Sequence, residues 1–458
     1  MLSLIVDSRL RLPLGQLSPG LLEKIKKEFE FKNPQYYINK ARNYSNYKTP
    51  EVIKAHKQTK KELTLPRGTT SNVISLLEDE GIEYQVINKT RMLPKVDFEF
   101  HGELRETQIE PVEAILSRKF STLSAPPGSG KTTISLYTVA KRSQKTLVIV
   151  HTKALLVQWQ ERIEQFLGID RKDIGTIVEG KIKLGEKITV GMVQTLTKCS
   201  HKVKPYIGYI ICDECHHQPA KSFSDVVSVF DSAYSVGLSA THVRRDKLER
   251  LIAWYLGPIV SVVGLNDLIK QGNVMMVEPI IRETNFRSNL MEPSWSNLIS
   301  ELILDEERNL LIANDVVKES KKGPCVVLSD RKAHCEILTS LIDSFGIDVE
   351  MVTGDVKGED RDNILKKLKE KKIDVIVATG QLLGEGFDEK SLTALFLTTP
   401  ISWAGRLTQY LGRISRICDG KTRSVAYDYK DTFCDYLMKA FEERMRTYRK
   451  LKKQSLKK

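Results

Sequence analysis

Over the first 95 residues the apolar positions come in short strand-like runs such as Leu2-Ser-Leu-Ile-Val6, interrupted by a polar, tyrosine-rich segment from Tyr36 to Tyr47. Leu63-Thr-Leu-Pro-Arg-Gly68 predicts a strand ending in a turn, and Asn72 to Glu80 predicts a helix. From Leu104 the pattern changes to short apolar runs alternating with amphipathic stretches, the rhythm of a parallel sheet with crossover helices. Leu104 to Gln108 opens an amphipathic helix, and strands are expected at 146–150, 188–193, 209–212 and 235–238. A less periodic connection with Gly272, Asn273 and Pro279 follows. A second alternation then predicts strands at 325–328, 349–352, 374–378, 394–397 and 424–427.

This organisation reads as an α/β chain: an α+β accessory domain over 1–95, a first α/β domain over 96–265, a linker over 266–287, a second α/β domain over 288–443 and a tail over 444–458. The last segment holds eight basic residues and no acid and reads as a frayed helix end or a tail. The length of 458 residues agrees, since roughly 150 residues per domain gives about three.

Charge sharpens the picture. Lys plus Arg number 71 against 58 Asp plus Glu, and the net +13 favours polyanionic partners. Tyr36, Tyr37, Tyr44 and Tyr47 lie among Lys40, Arg42 and Lys48, a mixture equally suited to nucleic acid and to packing within a small domain. Seven cysteines without a regular framework fit free thiols in a reducing compartment. Asp7 and Arg9 break any signal-peptide core, and no apolar run reaches membrane-spanning length. A soluble, cytoplasmic protein with no membrane partner is expected.

Ala125-Pro-Pro-Gly-Ser-Gly-Lys-Thr132 sits between an apolar run and a helix-forming run with the spacing of a phosphate-binding loop, although Ala125 stands where the first glycine is usual. Small residues let backbone N–H groups converge on phosphate oxygens, Lys131 can reach the β and γ phosphates, and the Thr132 hydroxyl can hold Mg²⁺. Ile210-Ile-Cys-Asp-Glu-Cys-His216 is an apolar strand ending in two carboxylates. Asp213 is expected to hold Mg²⁺, and Glu214 to orient and deprotonate the water that attacks the γ phosphate. Cys212, Cys215 and His216 also match a haem-attachment pattern, which a buried strand following a phosphate loop argues against.

From 104 to 416 these residues resemble the superfamily 2 helicases. Arg105 and Gln108 resemble the adenine-reading Q element, and Pro127, Gly128, Ser129, Gly130, Lys131, Thr132 and Thr133 belong to motif I or its flank. Val150 to Trp159 resembles motif Ia, with Thr152 and Lys153 against one nucleic-acid strand and His151 in place of the usual proline; Gln194 and Thr195 resemble the next strand-contacting element. Asp213 to His216 is similar to motif II in its DECH form, and Gly237 to Thr241 to motif III. His216, Ser239 and Thr241 would couple hydrolysis to movement. Arg244 and Arg245 stand where XPB-like and phage branch-migration enzymes carry an arginine and an acid, here Arg244-Arg-Asp246.

In the second half, Arg331 falls in a stretch like motif IV, Thr353 and Arg361 resemble the next backbone-contacting pair, and Thr379, Glu385, Gly386 and Asp388 fall in a stretch like motif V. Gln409, Arg413 and Arg416 resemble motif VI. The resemblance implies two tandem RecA-like parallel-sheet domains, ATP and Mg²⁺ as cofactors, and Arg413 and Arg416 as arginine fingers reaching across the cleft, a contribution on the order of 10³-fold in such enzymes.

His216 and Gln409 depart from the DEAD-box RNA helicases. The Arg244-Arg-Asp246 stretch, the form of motif V and the Leu63 to Gly68 block look more like the UvsW type of branch-migration helicase. The expected partner is branched or forked DNA, tracked along a single strand by a monomer with 3′ to 5′ polarity; RNA is the less favoured substrate. A DExH RNA helicase and a nucleotide-gated sensor that binds without translocating are the alternatives.

Overall fold

The computed structural model describes residues 1–458 apart from 42–43, 216–219, 241–248, 291–293, 355, 357, 381–388, 402–403 and 457–458, with a few further side chains outside the description beside these segments, at 266 and from 453 onward. Two compact units emerge, 1–125 with 130–263 and 126–129 with 264–458.

The first unit holds two layered assemblies. Its N-terminal part is a five-stranded sheet in the order Lys57–Gln58, Glu62–Pro66, Arg9–Pro13, Leu2–Val6, Tyr84–Asn88. Strand Leu2–Val6 alternates, burying Leu2, Leu4 and Val6, as a sheet with one covered face requires. The second sheet has eight strands, and its central five run parallel in the order Ile188–Met192, Thr146–Val150, Tyr209–Cys212, Tyr234–Ser239, Phe120–Ser124. All five residues of Thr146–Val150 are buried, because helices cover both faces of a parallel sheet.

The N-terminal sheet and the motor sheet share a core. Trp254, on the helix Glu249–Leu256, meets Phe29 and Phe31 edge-on at 5.4 and 5.7 Å. Arg67 is 1% exposed; its Nη1 donates to the Ser232 carbonyl at 2.8 Å and its guanidinium stacks 4.5 Å from the Phe120 ring. Gly68 is needed beside it, since an added Cβ would stand 2.5 Å from the carbonyl oxygens of Ala253 and Trp254. The Leu63 to Gly68 block is therefore an internal fastener.

The second unit is a six-stranded, wholly parallel sheet: Glu278–Thr284, Val425–Asp431, Ala394–Leu397, Cys325–Ser329, Val375–Thr379, Val349–Val352. Two expectations change here. The stretch read as a linker, 266–287, contains the helix Leu265–Lys270 and the edge strand Glu278–Thr284, which pairs with Val425–Asp431 over seven residues. An edge strand tolerates Pro279 and half-buried positions, so it lacks the apolar run that marks a central strand. Of the two forms expected from Arg444 onward, helix end or tail, the chain takes the helical one, continuing the helix Asp435–Leu456, and Arg444 is not a solvent-facing basic residue but a core one, 4% exposed and paired with Asp428 at 2.8 Å.

Candidate active site

A parallel sheet delivers the loop after every strand to one edge. Ala125 follows Phe120–Ser124, Asp213 follows Tyr209–Cys212, Ser239 ends Tyr234–Ser239, Thr152 follows Thr146–Val150, and Gln194 follows Ile188–Met192. Residues 19 to 114 positions apart in sequence thus share that edge.

At the phosphate loop, Gly130 takes φ +80° and begins the helix Lys131–Arg142. Glycine adopts this left-handed conformation freely, and a Cβ here would also collide with the Gln108 amide nitrogen. Gln108 is buried and its Oε1 accepts from the Arg105 N–H at 3.0 Å, so the two expected adenine-reading residues form one turn against the loop. Thr132 and Thr133 are half-buried in the first helical turn, where free N–H groups and the helix dipole favour an anion. Lys131 Nζ donates to the Ala125 carbonyl at 3.1 Å and lies 3.5 Å from Glu214 Oε1. A lysine held this way is already over the loop that would cradle phosphate.

The acid pair is oriented from behind. Trp159 Nε1–H donates to Asp213 Oδ2 at 2.8 Å, and the Glu214 N–H donates to Asp213 Oδ1 at 2.9 Å. Burial pushes the Asp213 carboxyl above the usual carboxylate range, the Glu214 charge adds to this, and Lys131 opposes it. Glu214 itself sits at φ +44°, a backbone conformation that costs a non-glycine residue energy and that recurs at functional sites. Cys212 and Cys215 are buried free thiols, and Cys215 donates to the Leu238 carbonyl at 3.2 Å, so the pair serves packing.

Hard oxygens from Asp213 and Thr132 suit Mg²⁺, which characteristically takes one or two protein oxygens and completes its shell with phosphate and water.

Thr152 caps the helix Lys153–Leu167, Lys153 pairs with Glu179, Gln194 donates to the His151 carbonyl at 2.9 Å, and Thr195 is half-buried in the same helical turn as Gln194. Ser239 is buried at its strand end, and its carbonyl accepts from Ala125 N–H at 2.9 Å, tying the segment like motif III to the phosphate loop. His216, Thr241, Arg244, Arg245, Glu385, Gly386 and Asp388 lie outside the described residues, as does the Arg361 side chain.

In the second unit, Gln409 and Arg413 are buried on the helix Ala404–Ile414, with Arg416 half-buried just beyond. Thr353 is buried after its strand and Thr379 ends Val375–Thr379. Arg331 donates to Ser296 Oγ at 3.1 Å. A chain of bonds that the sequence did not reveal joins the segments like motifs IV, V and VI. Arg406 binds Asp330 through two bonds of 2.7 and 2.9 Å and donates to the Tyr410 hydroxyl at 2.6 Å, which donates to the Gly380 carbonyl at 2.6 Å. Trp159 was equally hidden, since the sequence shows it only as the end of the stretch like motif Ia.

Comparison with known proteins agrees with this geometry. Residues 101–244 match the family described as type III restriction enzyme, res subunit, and residues 307–418 match the helicase conserved C-terminal domain. The DNA 3′-5′ translocase XPB2 of Sulfurisphaera tokodaii is 27% identical, covering 73% of this chain and 83% of that one. A mimivirus protein named "Putative ATP-dependent RNA helicase L396" is also 27% identical, covering 71% of this chain and 63% of its own length. Yeast Dbp5, solved with RNA and ADP BeF3, shares the fold at 14% identity with a TM-score of 0.53, covering 77% of this chain and 98% of that one.

A phosphate loop and strand-end acids on one parallel sheet, with a second parallel sheet matching a helicase C-terminal domain, define an ATP-hydrolysing motor of two RecA-like domains. The chain belongs to superfamily 2 of the helicases and is related to its XPB branch.

Proposed function

We propose that this protein is an ATP-driven DNA helicase or translocase that remodels branched or forked duplexes as a monomer, with Mg²⁺ carried on the nucleotide. The observation that carries the chemical half is the Lys131–Glu214–Asp213 arrangement over the phosphate loop. Bound Mg²⁺ would supply charge neutralisation on the phosphates. Lys131 orients the phosphoryl group, Glu214 takes the proton of the attacking water, and Asp213 and Thr132 are the protein oxygens offered to the metal. Asp213 must be ionised for that role, and the indole of Trp159 and the Glu214 N–H favour its ionised form.

Support for DNA comes from the similarity to XPB2, a DNA 3′-5′ translocase by name. RNA is the second reading, and the mimivirus relative favours it. Backbone contacts dominate in such motors, so activity should be insensitive to sequence and sensitive to salt. The deciding experiment measures steady-state ATPase with no activator and with single-stranded DNA, duplex, a fork, a four-way junction and single-stranded RNA. Strongest stimulation by fork or junction supports the proposal; preference for RNA overturns the DNA assignment; no stimulation by any of them overturns translocation.

A further inference from the structure

A small satellite core caps the carboxyl edge of the second sheet. Phe286, just past the edge strand Glu278–Thr284, packs with Leu298, Ile299, Leu302 and Ile303 and with Cys434 and Leu437, just past Val425–Asp431. The helix Trp295–Leu302 thereby turns its apolar face inward, and its first residue, Trp295, is left 45% exposed. Phe433 and Tyr436, on either side of Cys434, are 51% and 49% exposed.

Two of these aromatics have a cation against the ring, and a third cation is held one residue from Trp295. The Arg287 guanidinium lies 4.0 Å from the Phe433 ring centroid, Lys439 Nζ lies 5.8 Å from that of Tyr436, and Ser296, next to Trp295, accepts from Arg331 at 3.1 Å. Half-exposed large aromatics on the rim of one small core are the kind of apolar surface that marks an interaction site. Interleaved with guanidinium and ammonium groups, they match the composition of surfaces on which unpaired bases stack while cations follow the phosphates.

We infer that Trp295, on the rim of the same small core as the Phe433–Arg287 and Tyr436–Lys439 pairs and one residue from the Ser296 that Arg331 holds, is a base-stacking platform for single-stranded nucleic acid on the second motor unit. This rests on the proposed nucleic-acid function and adds to it the residue that grips bases rather than phosphates. The surface commits to a single strand because a duplex hides its base faces. Trp295 is thus a positioning residue for the translocated strand.

The test compares the full chain with Trp295→Ala and Trp295→Phe, binding a thymidine oligonucleotide and an abasic oligonucleotide of equal length, followed by fluorescence anisotropy and intrinsic tryptophan emission. Expected for the unaltered protein are preference for the base-bearing strand and quenching of its emission. Trp295→Ala should bind thymidine strands about tenfold more weakly with little change on the abasic strand, and lose most of the quenching; Trp295→Phe should recover affinity. If Trp295→Ala keeps wild-type preference for bases, the platform is wrong and the exposed aromatics serve something else, such as a protein partner. If the unaltered protein binds neither strand, the nucleic-acid reading fails, and the platform fails with it.

Discussion

The indole of Trp159 donates a 2.8 Å hydrogen bond to Oδ2 of Asp213, joining a core helix to the acid pair of the candidate active site. That bond favours the ionised carboxylate, while burial and Glu214 favour the protonated one. Trp159→Phe removes the donor and drives the Asp213 carboxyl still higher. Less of it is then ionised at a given pH, so the Mg²⁺ concentration for half-maximal ATPase should rise several-fold near neutrality and recover as pH increases. Mg²⁺ titrations across a pH series check this; identical curves for both proteins would remove Trp159 from the site.

Lys131 and Glu214 lie 3.5 Å apart and should separate by role. Glu214→Gln should lower turnover by at least about a hundredfold, the range of a lost general base, while retaining ATP. Lys131→Ala should lose nucleotide affinity as well. Fluorescent-nucleotide binding alongside ATPase rates distinguishes them, and normal turnover by Glu214→Gln would falsify the base assignment.

Arg67 and Gly68 fasten the N-terminal sheet to the motor sheet through contacts of different kinds. Gly68→Ala drives a Cβ against backbone oxygens 2.5 Å away and should cost about 3 kcal/mol or more. Arg67 is different: burial pulls its guanidinium down to about 10, and it hydrogen-bonds Ser232 with no carboxylate paired to it among the described residues. Arg67→Ala leaves a cavity and an unfilled carbonyl and should cost about 3 kcal/mol, whereas Arg67→Met fills the space without a buried charge and should cost about 1 kcal/mol or less. Urea unfolding of the three variants orders them.

His334 is wholly buried between Ser329 Oγ at 3.0 Å and Asn309 Oδ1 at 2.9 Å, and burial, with the Arg308 charge, pulls it down to about 3. Its ordinary value is 6.5, so the unfolded chain takes up a proton that the folded unit refuses. The stability from this residue is full above 6.5 and declines as pH falls towards 3, by about 2 kcal/mol at pH 5. His334→Gln should be less stable at neutral pH yet lose less on acidification. Hydrogen exchange along the helix Lys332–Ser344 at both pH values reads this directly.

Much of this protein is local and therefore legible in its sequence. The phosphate loop, the strand-end acids and the central strands each depend on neighbours in the chain, because a buried parallel strand must be an unbroken apolar run and a phosphate loop must be small and glycine-rich. What depends on residues far apart was decided by the tertiary structure. Trp159 reads as the end of a stretch like motif Ia until its nitrogen is seen against Asp213, 54 residues on. Arg67 meets Ser232, 165 residues away. Arg444 reads as the start of a basic tail until Asp428 takes its charge, and Glu278–Thr284 as a linker until Val425–Asp431 supplies its hydrogen bonds. Charge and edge-strand pairing are settled by the partner that folding brings near, and spacing along the chain carries no record of that partner.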